Sequence, residues 1–249
     1  MSNGRAPPRR VGETKTDRSA QDRSPIQGLL LVDKPGGMTS HDVVQHVRRI
    51  LGERSIGHLG TLDPFATGLL VLLIGRATRL ATFLDTEPKV YDATIGFGAE
   101  TDTDDLTGTV IRTADLPRES DVRSAVEKLT GKISQVPPAY SAKSVDGTRA
   151  YDAARRGEPL DLPAVDVTVH SWEIRELSGD TLSAVITCSG GTYIRALARD
   201  LGRLVSSAAH LTSLRRTRVA EFDVRNAATL DTLSAEPARV RPLRVVADA

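Results

Sequence analysis

The sequence predicts an α+β fold built on a large mixed, mostly antiparallel sheet with flanking helices. Segments 165–175 and 181–188 are predicted to pair as antiparallel strands, since apolar residues alternate along the second of them. Segments with the apolar period of a helix lie scattered among the strands and do not alternate with them regularly. This mixture favours an α+β fold over a doubly wound parallel sheet.

The first predicted elements are a buried strand over 28–32 and a helix over about 41–51. A Pro-Gly-Gly turn separates them. Thr39 or Ser40 can cap the helix, because a hydroxyl oxygen accepts a free N–H of the first helical turn. Gly52 is predicted to end the helix, since glycine readily adopts the left-handed conformation found there.

A glycine-rich stretch from Gly57 to Leu70 interrupts the regular elements. Its three glycines and one proline predict a loop, which runs into an apolar strand over 69–74. The loop carries Asp63, and a glycine-rich loop often lets backbone or a carboxylate approach a bulky group. Asp63 is therefore the first candidate functional residue.

The later elements complete the sheet and its helices. In chain order the sequence predicts a helix over 76–84, a strand over 89–98, an acidic turn over 102–108, a helix over 121–130 between a Ser120 cap and a Gly131 stop, an extended stretch over 135–141, a short helix over 148–156, a helix over 193–206, one or two strands over 210–224 and a short helical piece after 226.

The composition describes a globular chain with an aliphatic core. Of the 249 residues, 39% are hydrophobic and 4% aromatic, and the net charge of +1 neither supports nor excludes nucleic-acid binding. The single cysteine, Cys188, excludes an internal disulfide and fits a reducing cytoplasm. The chain lacks an apolar run of the roughly 18 residues that a membrane helix needs, and it lacks the apolar segment of a signal peptide. We therefore expect a cytoplasmic protein.

The sequence disfavours a cysteine nucleophile, a metal site and a phosphate-binding P-loop. Cys188 lies on an apolar alternation within a predicted strand, which favours a buried, inert thiol. The five histidines show no metal-ligand spacing, and there is no pair of cysteines. The glycine-rich loop lacks the Gly-Lys-Ser/Thr ending of a phosphate-binding P-loop.

A carboxylate remains as the centre of the candidate chemistry. Asp63 taken alone is typical of a turn, but Tyr91 on a strand and Tyr193 and Arg195 at a helix start could join it. An arginine beside a carboxylate favours its charged form and orients it. Aromatic rings suit stacking on a planar base. These residues do not identify a reaction by themselves.

Several long motifs occur in the order in which one known family carries them. They occupy residues 28–41, 57–70, 89–91, 101–103, 135–142, 188–202 and 209–216, so the match spans roughly residues 26–222. An ordered set of long motifs is more specific than one short pattern. The sequence resembles the TruB family of tRNA pseudouridine synthases.

The resemblance implies a pseudouridine synthase fold with a central RNA-binding cleft. It implies an enzyme that isomerises the uridine at position 55, in the T loop of tRNA, to pseudouridine without a metal or an organic cofactor. The aspartate matching Asp63 acts as a nucleophile toward a flipped-out uridine. The tyrosine matching Tyr91 packs on the base and is a candidate for assisting proton removal, and the arginine matching Arg195 pairs with the aspartate.

The resemblance also implies a set of substrate-binding residues. His58, Tyr193 and Leu214 match positions that line the substrate site, and His58 could fill the space that the flipped base leaves. The matched motifs supply three further candidates, which are Lys34, Lys89 and Asp102.

The chain departs from the family pattern at a few positions. Leu59 and Phe65 stand where the family usually has Thr and Leu, and neither change removes a proposed catalytic group. Lys143 before Ser144, and Val165 where an arginine often precedes the strand, alter expected contacts to the RNA backbone.

Three segments are expected along the chain. Residues 1–24 are rich in Arg, Ser and Pro and are predicted to form a disordered basic tail, with an arm that contacts RNA as the alternative. Residues 25–225 are predicted to form the pseudouridine synthase catalytic domain. Residues 226–249 are expected to be a short C-terminal segment in place of a full RNA-binding domain, with a weaker grip on the acceptor stem.

Three hypotheses about function follow. The leading one is a stand-alone tRNA pseudouridine synthase that binds the T-arm stem-loop as a monomer, without an obligatory protein partner or a membrane. The second is a guide-RNA-dependent catalytic subunit similar to dyskerin. The third is a non-catalytic RNA-binding or tRNA-folding protein on the same scaffold, which the joint presence of Asp63, Tyr91 and Arg195 disfavours.

Overall fold

A computed structural model describes residues 27–145 and 147–235, together with Met1. Apart from Met1, the tail predicted over 1–24 lies outside the described residues, as do residues 236–249.

The described part of the chain contains strands, helices and two short 3₁₀ turns. The strands are β1 Gly28–Lys34, β2 Ile56–Leu59, β3 Thr67–Ile74, β4 Lys89–Phe97, β5 Ala99–Thr101, β6 Val110–Thr113, β7 Gly131–Gln135, β8 Ser144–Val145, β9 Thr148–Arg149, β10 Val165–Ser178, β11 Thr181–Cys188, β12 Ala209–Val219 and β13 Phe222–Asp223. The helices are α1 Ser40–Leu51, α2 Glu119–Lys128, α3 Ala150–Arg155, α4 Ile194–Leu204 and α5 Leu230–Ala235, and the 3₁₀ turns are Gly75–Leu80 and Val224–Asn226.

The largest sheet within the described residues has nine strands. Seven of them follow the order β1-β3-β12-β4-β11-β10-β7, while β2 pairs with β3 and β13 pairs with β12. All pairs are antiparallel except β12 with β3, which run parallel where Arg215 and Arg216 face Thr67 and Gly68. The predicted α+β class with a mixed, mostly antiparallel sheet is confirmed.

Apolar side chains pack on the sheet in distinct clusters. Helices α2 and α4 bury apolar residues against β4, β11 and β12, and α1 and α5 pack on one face of β1 and β3. Leu197 and Leu201 of α4 are fully buried, and such burial contributes about 1.5–3 kcal/mol for each side chain. This packing fixes α4, whose first turn carries Arg195, on the central strands. Among the described residues, no helix has the length and apolar character needed to span a membrane.

Two predicted elements differ from the structure near the glycine-rich loop. The helix predicted over 76–84 is a 3₁₀ turn, Gly75–Leu80, which begins at a glycine with φ of 64° and ends in further turns. The loop predicted from Gly57 begins instead with β2, whose backbone pairs with β3. Pairing with an otherwise free side of β3 therefore overrides the local preference of Gly57 for a loop.

Helix α2 begins earlier than predicted and without the predicted cap. Its first residue is Glu119, and Arg118 occupies the N-cap position without a side-chain hydrogen bond, so the Ser120 cap was wrong. The helix ends at Lys128, and Gly131, with φ of 91°, is the first residue of β7. Strand β7 and the hairpin of β5 and β6 were not predicted.

The capping box of α1 makes a testable contribution to stability. Thr39 Oγ1 accepts the Asp42 N–H at 3.0 Å, and Asp42 Oδ2 accepts the Thr39 N–H at 2.9 Å. We expect Thr39→Ala to lower the free energy of unfolding by about 1 kcal/mol, because it leaves helix N–H groups without a partner. Urea denaturation would measure the loss. The matched control is Ser120→Ala, which removes a hydroxyl that caps no helix and should change the free energy by less than about 0.5 kcal/mol. Equal losses in the two variants would contradict this assignment of the cap.

Candidate active site

Asp63 lies on the loop between β2 and β3, and neighbouring segments hold that loop in place. Ser40 Oγ accepts the Leu62 N–H at 2.9 Å and donates to the Leu62 carbonyl at 3.1 Å. The Gly37 N–H donates to the Pro64 carbonyl at 2.8 Å. The turn after β1 and the first residue of α1 therefore fix the backbone on both sides of Asp63.

Lys34 supports the same loop from within the protein. Its side chain is 0% exposed. Its Nζ donates to the carbonyls of Met38, Pro35 and Pro64 at 2.6, 2.9 and 3.2 Å. Burial lowers the pKa of Lys34 to about 8, although the charges of Asp63 and Asp42 oppose that shift. The lysine joins the turn after β1 to the Asp63 loop and does not line the cavity described below.

Gly68 is required by the packing of the chain itself. Its φ is 100°, and a Cβ at this position would lie 2.2 Å from the backbone oxygen of Arg216. The bulky neighbour that this glycine admits is strand β12. A glycine in the loop motif thus needs no ligand to explain it.

Asp63 and Arg195 form a two-pronged ion pair. Arg195 Nε donates to Asp63 Oδ2 at 3.0 Å, and Arg195 Nη2 donates to Asp63 Oδ1 at 2.9 Å. The Arg195 side chain is 4% exposed and that of Asp63 is 32% exposed. Paired N–H···O bonds of this kind fix the plane of the carboxylate, so Asp63 is oriented while one side of it remains accessible.

Arg195 is itself held by three further groups. Its Nη1 donates to the Thr103 carbonyl at 2.8 Å and its Nη2 to the Tyr140 carbonyl at 2.9 Å. The buried carboxylate of Asp105 lies 3.7 Å from its Nε. The guanidinium therefore has little freedom to move away from Asp63.

Three arginines on one side of α4 face an acidic segment of the chain. Arg195, Arg199 and Arg203 recur every four residues. Arg199 Nη1 lies 2.8 Å from Asp104 Oδ2, and Arg203 pairs with Glu100. Burial raises the pKa of Asp104 to about 6, against the opposing effect of the Arg199 charge.

Arg199 and Arg203 were not among the predicted site residues, although the four-residue spacing of the three arginines places them on one face of a helix. Residues four apart lie on one face of a helix, and the carboxylates of residues 100–105 could have been matched to that face. Asp102, which the sequence nominated, accepts the Thr109 N–H at 2.8 Å and thereby closes the acidic turn. It does not line the cavity.

A cavity of about 280 Å³ opens beside Asp63. Six of the nine nominated residues line it, which are Asp63, Lys89, Tyr91, Tyr193, Arg195 and Leu214. Lys34, His58 and Asp102 do not. The structure adds Tyr140, Ser141 and Arg216 to the lining.

The two nominated tyrosines reach the cavity from different elements. Tyr91 lies on β4 opposite Arg216 of β12. Burial raises the pKa of the Tyr91 hydroxyl above its ordinary value, with the Arg216 charge opposing the rise. Tyr193 precedes α4, and its N–H and carbonyl bond at 2.9 and 3.1 Å to the side chain of Gln135, a residue with no exposed surface. Both tyrosines are therefore firmly positioned.

His58 lies on β2 outside the cavity lining. It faces Leu72 of β3. Its buried Nδ1 forms no hydrogen bond with the described residues. Burial and the nearby Arg216 charge lower the pKa of the imidazole, which favours the uncharged ring. Across the parts of the chain that the structure covers, no group of three or more His, Cys, Asp or Glu side chains could hold a metal ion.

Sequence models of two protein domains match this chain. The N-terminal domain of the TruB family of pseudouridylate synthases matches residues 48–194. The chain belongs to the TruB family. The C-terminal domain of tRNA pseudouridylate synthase B matches residues 195–243.

Relatives support this membership in both sequence and fold. The tRNA pseudouridine synthase B of Thermobifida fusca is 52% identical over 219 residues, which cover 84% of this chain and 75% of the relative. That of Nocardia farcinica is 50% identical over 229 residues, or 89% of this chain and 75% of the relative. A chain from an H/ACA ribonucleoprotein bound to a substrate RNA containing 2′-deoxyuridine aligns with a TM-score of 0.62 and 26% identity over 84% of this chain. This TruB-family chain covers 52% of that neighbour, about half its length.

Proposed function

We propose that this protein isomerises uridine to pseudouridine in tRNA, at position 55 of the T loop, with Asp63 as the nucleophile. The pairing of Asp63 with Arg195 beside the cavity carries the proposal. Membership of the TruB family and the names of its relatives support the reaction and the RNA. The enzyme acts on tRNA in the cytoplasm as a monomer, and residues 25–225 form its catalytic domain.

The target nucleotide has to leave its stack before Asp63 can reach it. Enzymes that act on a base flip the nucleotide into a pocket, and the cavity beside Asp63 is the place where such a nucleotide would be received. Tyr91, Tyr193 and Leu214 offer it two aromatic rings and one aliphatic side chain. These side chains would hold the uracil by stacking and packing.

Covalent catalysis then divides the isomerisation into easier steps. A carboxylate oxygen of Asp63 forms a bond to the uridine, the N-glycosidic bond breaks, and the uracil rotates within the pocket. A bond then forms between C5 of the uracil and C1′ of the ribose, C5 loses its proton, N1 gains one in exchange, and Asp63 is released as a carboxylate. No atom is gained or lost overall, so the reaction requires no co-substrate.

Arg195 and Tyr91 have different roles in this scheme. Arg195 orients the carboxylate and balances its charge before attack and after release. The raised pKa of Tyr91 disfavours a phenolate at neutral pH, so packing on the base is the role that the site best supports. Lys34 and Asp102 act through the backbone of the loops that they hold. His58 is proposed to contact the RNA at the place that the flipped base leaves.

A guide-RNA-dependent activity is the second candidate, because the H/ACA ribonucleoprotein chain shares this fold. The purified protein should be incubated alone with an unmodified T-arm transcript, followed by mapping of pseudouridine. We expect one pseudouridine per transcript at position 55. No product without an added guide RNA would support the second candidate, and tight binding without product would support a tRNA-folding role.

A further inference from the structure

Two cationic side chains approach one point beside Gly60. The φ of Gly60 is 79°, and a Cβ at this residue would lie 3.4 Å from Arg216 Nη1 and 3.5 Å from Lys89 Nζ. Outside the adjacent residues of the loop, the three protein atoms nearest to that point all belong to these two side chains. Because glycine has no side chain, a ligand can approach the loop on this side and come within reach of both cations.

Within the described residues, neither cation forms an ion pair within 4 Å with a carboxylate, although the Glu87 charge acts on Lys89 from further away. The Arg216 side chain is 1% exposed. Its hydrogen bonds go to the backbone carbonyls of Leu69, Gly60 and Thr61, at 2.8, 3.0 and 3.4 Å. Carbonyl oxygens satisfy N–H donors but carry no full charge. A buried charge without an opposite charge is costly, and such sites usually have a function.

Lys89, at the start of β4, also lacks an ion-pair partner within 4 Å among the described residues. Burial lowers its pKa, and the Arg216 charge lowers it further. Both residues line the same cavity as Asp63 and Arg195, so their positive charge faces the space where the substrate is expected.

We propose that Lys89 and Arg216 form a binding site for one phosphate group of the RNA backbone, next to the flipped uridine. The inference rests on the proposed function and identifies a contact that the reaction scheme does not use. A flipped nucleotide brings its flanking phosphates into the cleft. A phosphate oxygen that approaches the loop between the two side chains can accept hydrogen bonds from both cations, as lysine and arginine commonly donate to phosphates.

The chemistry of the two donors favours a phosphate over a uracil carbonyl. A neutral oxygen would be satisfied by one uncharged donor, whereas two cations at one point are balanced only by an anion. Arg216 also holds the carbonyls of the Asp63 loop, so its substitution would disturb the catalytic loop. Lys89 makes no such bond and is the residue to test.

Lys89→Gln is expected to weaken tRNA binding in a salt-dependent manner. Binding should be measured in the Asp63→Asn background, so that no product forms. We expect the dissociation constant to rise roughly tenfold, and the slope of log K against log salt concentration to fall by about 0.7–0.9, as for the loss of one phosphate contact. Lys89→Arg should keep the slope. Lys128→Gln, which removes an exposed lysine of α2 outside the cavity, is the matched control and should change neither quantity. An unchanged slope in Lys89→Gln would overturn the proposal.

A neutral phosphate analogue distinguishes contact with phosphate from contact with the base. T-arm RNAs with a single methylphosphonate on the 5′ or the 3′ side of the target uridine would be compared in a double-mutant cycle. We expect one of the two substitutions to weaken binding to the lysine-containing protein by about the same factor as Lys89→Gln, and to have little effect on the Lys89→Gln protein. Additive effects at both positions would exclude the phosphate site. If the wild-type protein forms no pseudouridine in tRNA, the proposed function fails instead, so the two failures are distinguishable.

Discussion

Asp63→Asn is expected to lower kcat for pseudouridine formation by a factor on the order of 10⁴ or more, as removal of a catalytic nucleophile does elsewhere. The side-chain amide cannot form the covalent bond. It keeps the size of the carboxylate, so the cavity should still bind tRNA with a dissociation constant within roughly tenfold of the wild-type value. Single-turnover assays on a T-arm transcript would separate the chemical step from binding.

The matched control for this variant is Asp121→Asn. Asp121 is exposed in the first turn of α2 and does not line the cavity. Its substitution should leave kcat within about twofold of the wild-type value. The free energy of unfolding should stay within about 0.5 kcal/mol of wild type. Asp63→Asn protein that folds, binds tRNA and still forms product at a tenth of the wild-type rate would rule out Asp63 as the nucleophile.

Arg195→Lys should have the second largest effect, although it conserves the positive charge. Lysine cannot form two parallel hydrogen bonds with one carboxylate. A small displacement of a reacting group can cost about 10² in rate, and we expect kcat to fall by at least that factor. The lost bonds to the Thr103 and Tyr140 carbonyls should also lower the free energy of unfolding by about 1–3 kcal/mol. Steady-state kinetics and urea denaturation of the same preparation would measure both effects.

Arg203→Lys provides a matched comparison on the same helix. Arg203 lies two turns further along α4, and its side chain is 55% exposed where it pairs with Glu100. Glu100 is buried but also pairs with Arg112 at 2.9 Å, and a lysine at position 203 keeps one positive charge beside it. Activity should therefore stay near wild type, and stability should fall by less than in Arg195→Lys. Equal losses of activity in the two variants would show that the whole arginine series matters, and not the contact with Asp63.

The local pattern predicted the elements whose apolar period is long and regular. Helices α1 and α4 and the hairpin of β10 and β11 were predicted within a few residues of their bounds. Strand β7 was missed because it is five residues long and pairs with β10, in which the partner residues lie 30 or more positions later. Ser120 was a plausible cap by residue type, but α2 begins one residue before it.

The candidate site was predictable only in part. The pairing of Asp63 with Arg195 joins residues 132 positions apart, and no local pattern reports such a contact. The prediction placed Asp63 and Arg195 in one site only because the family motifs that contain them occur in the expected order. Arg216 was overlooked because an arginine in a strand is usually solvated. Its burial depends on the parallel junction of β12 with β3, which the sequence did not reveal.

The junction of β12 with β3 also bears on the order in which the chain becomes active. The Asp63 loop accepts hydrogen bonds from the turn before α1, from Arg195 and from Arg216, so its final shape depends on segments spread over about 180 residues. Contacts of such high sequence separation form slowly, because the entropy of closing a long loop opposes them. During synthesis, a chain that has emerged only as far as α4 would still lack the strand that fixes Gly60 and Leu69. The site for catalysis is thus completed only when β12 joins the sheet, and partly folded chains should bind and modify RNA poorly.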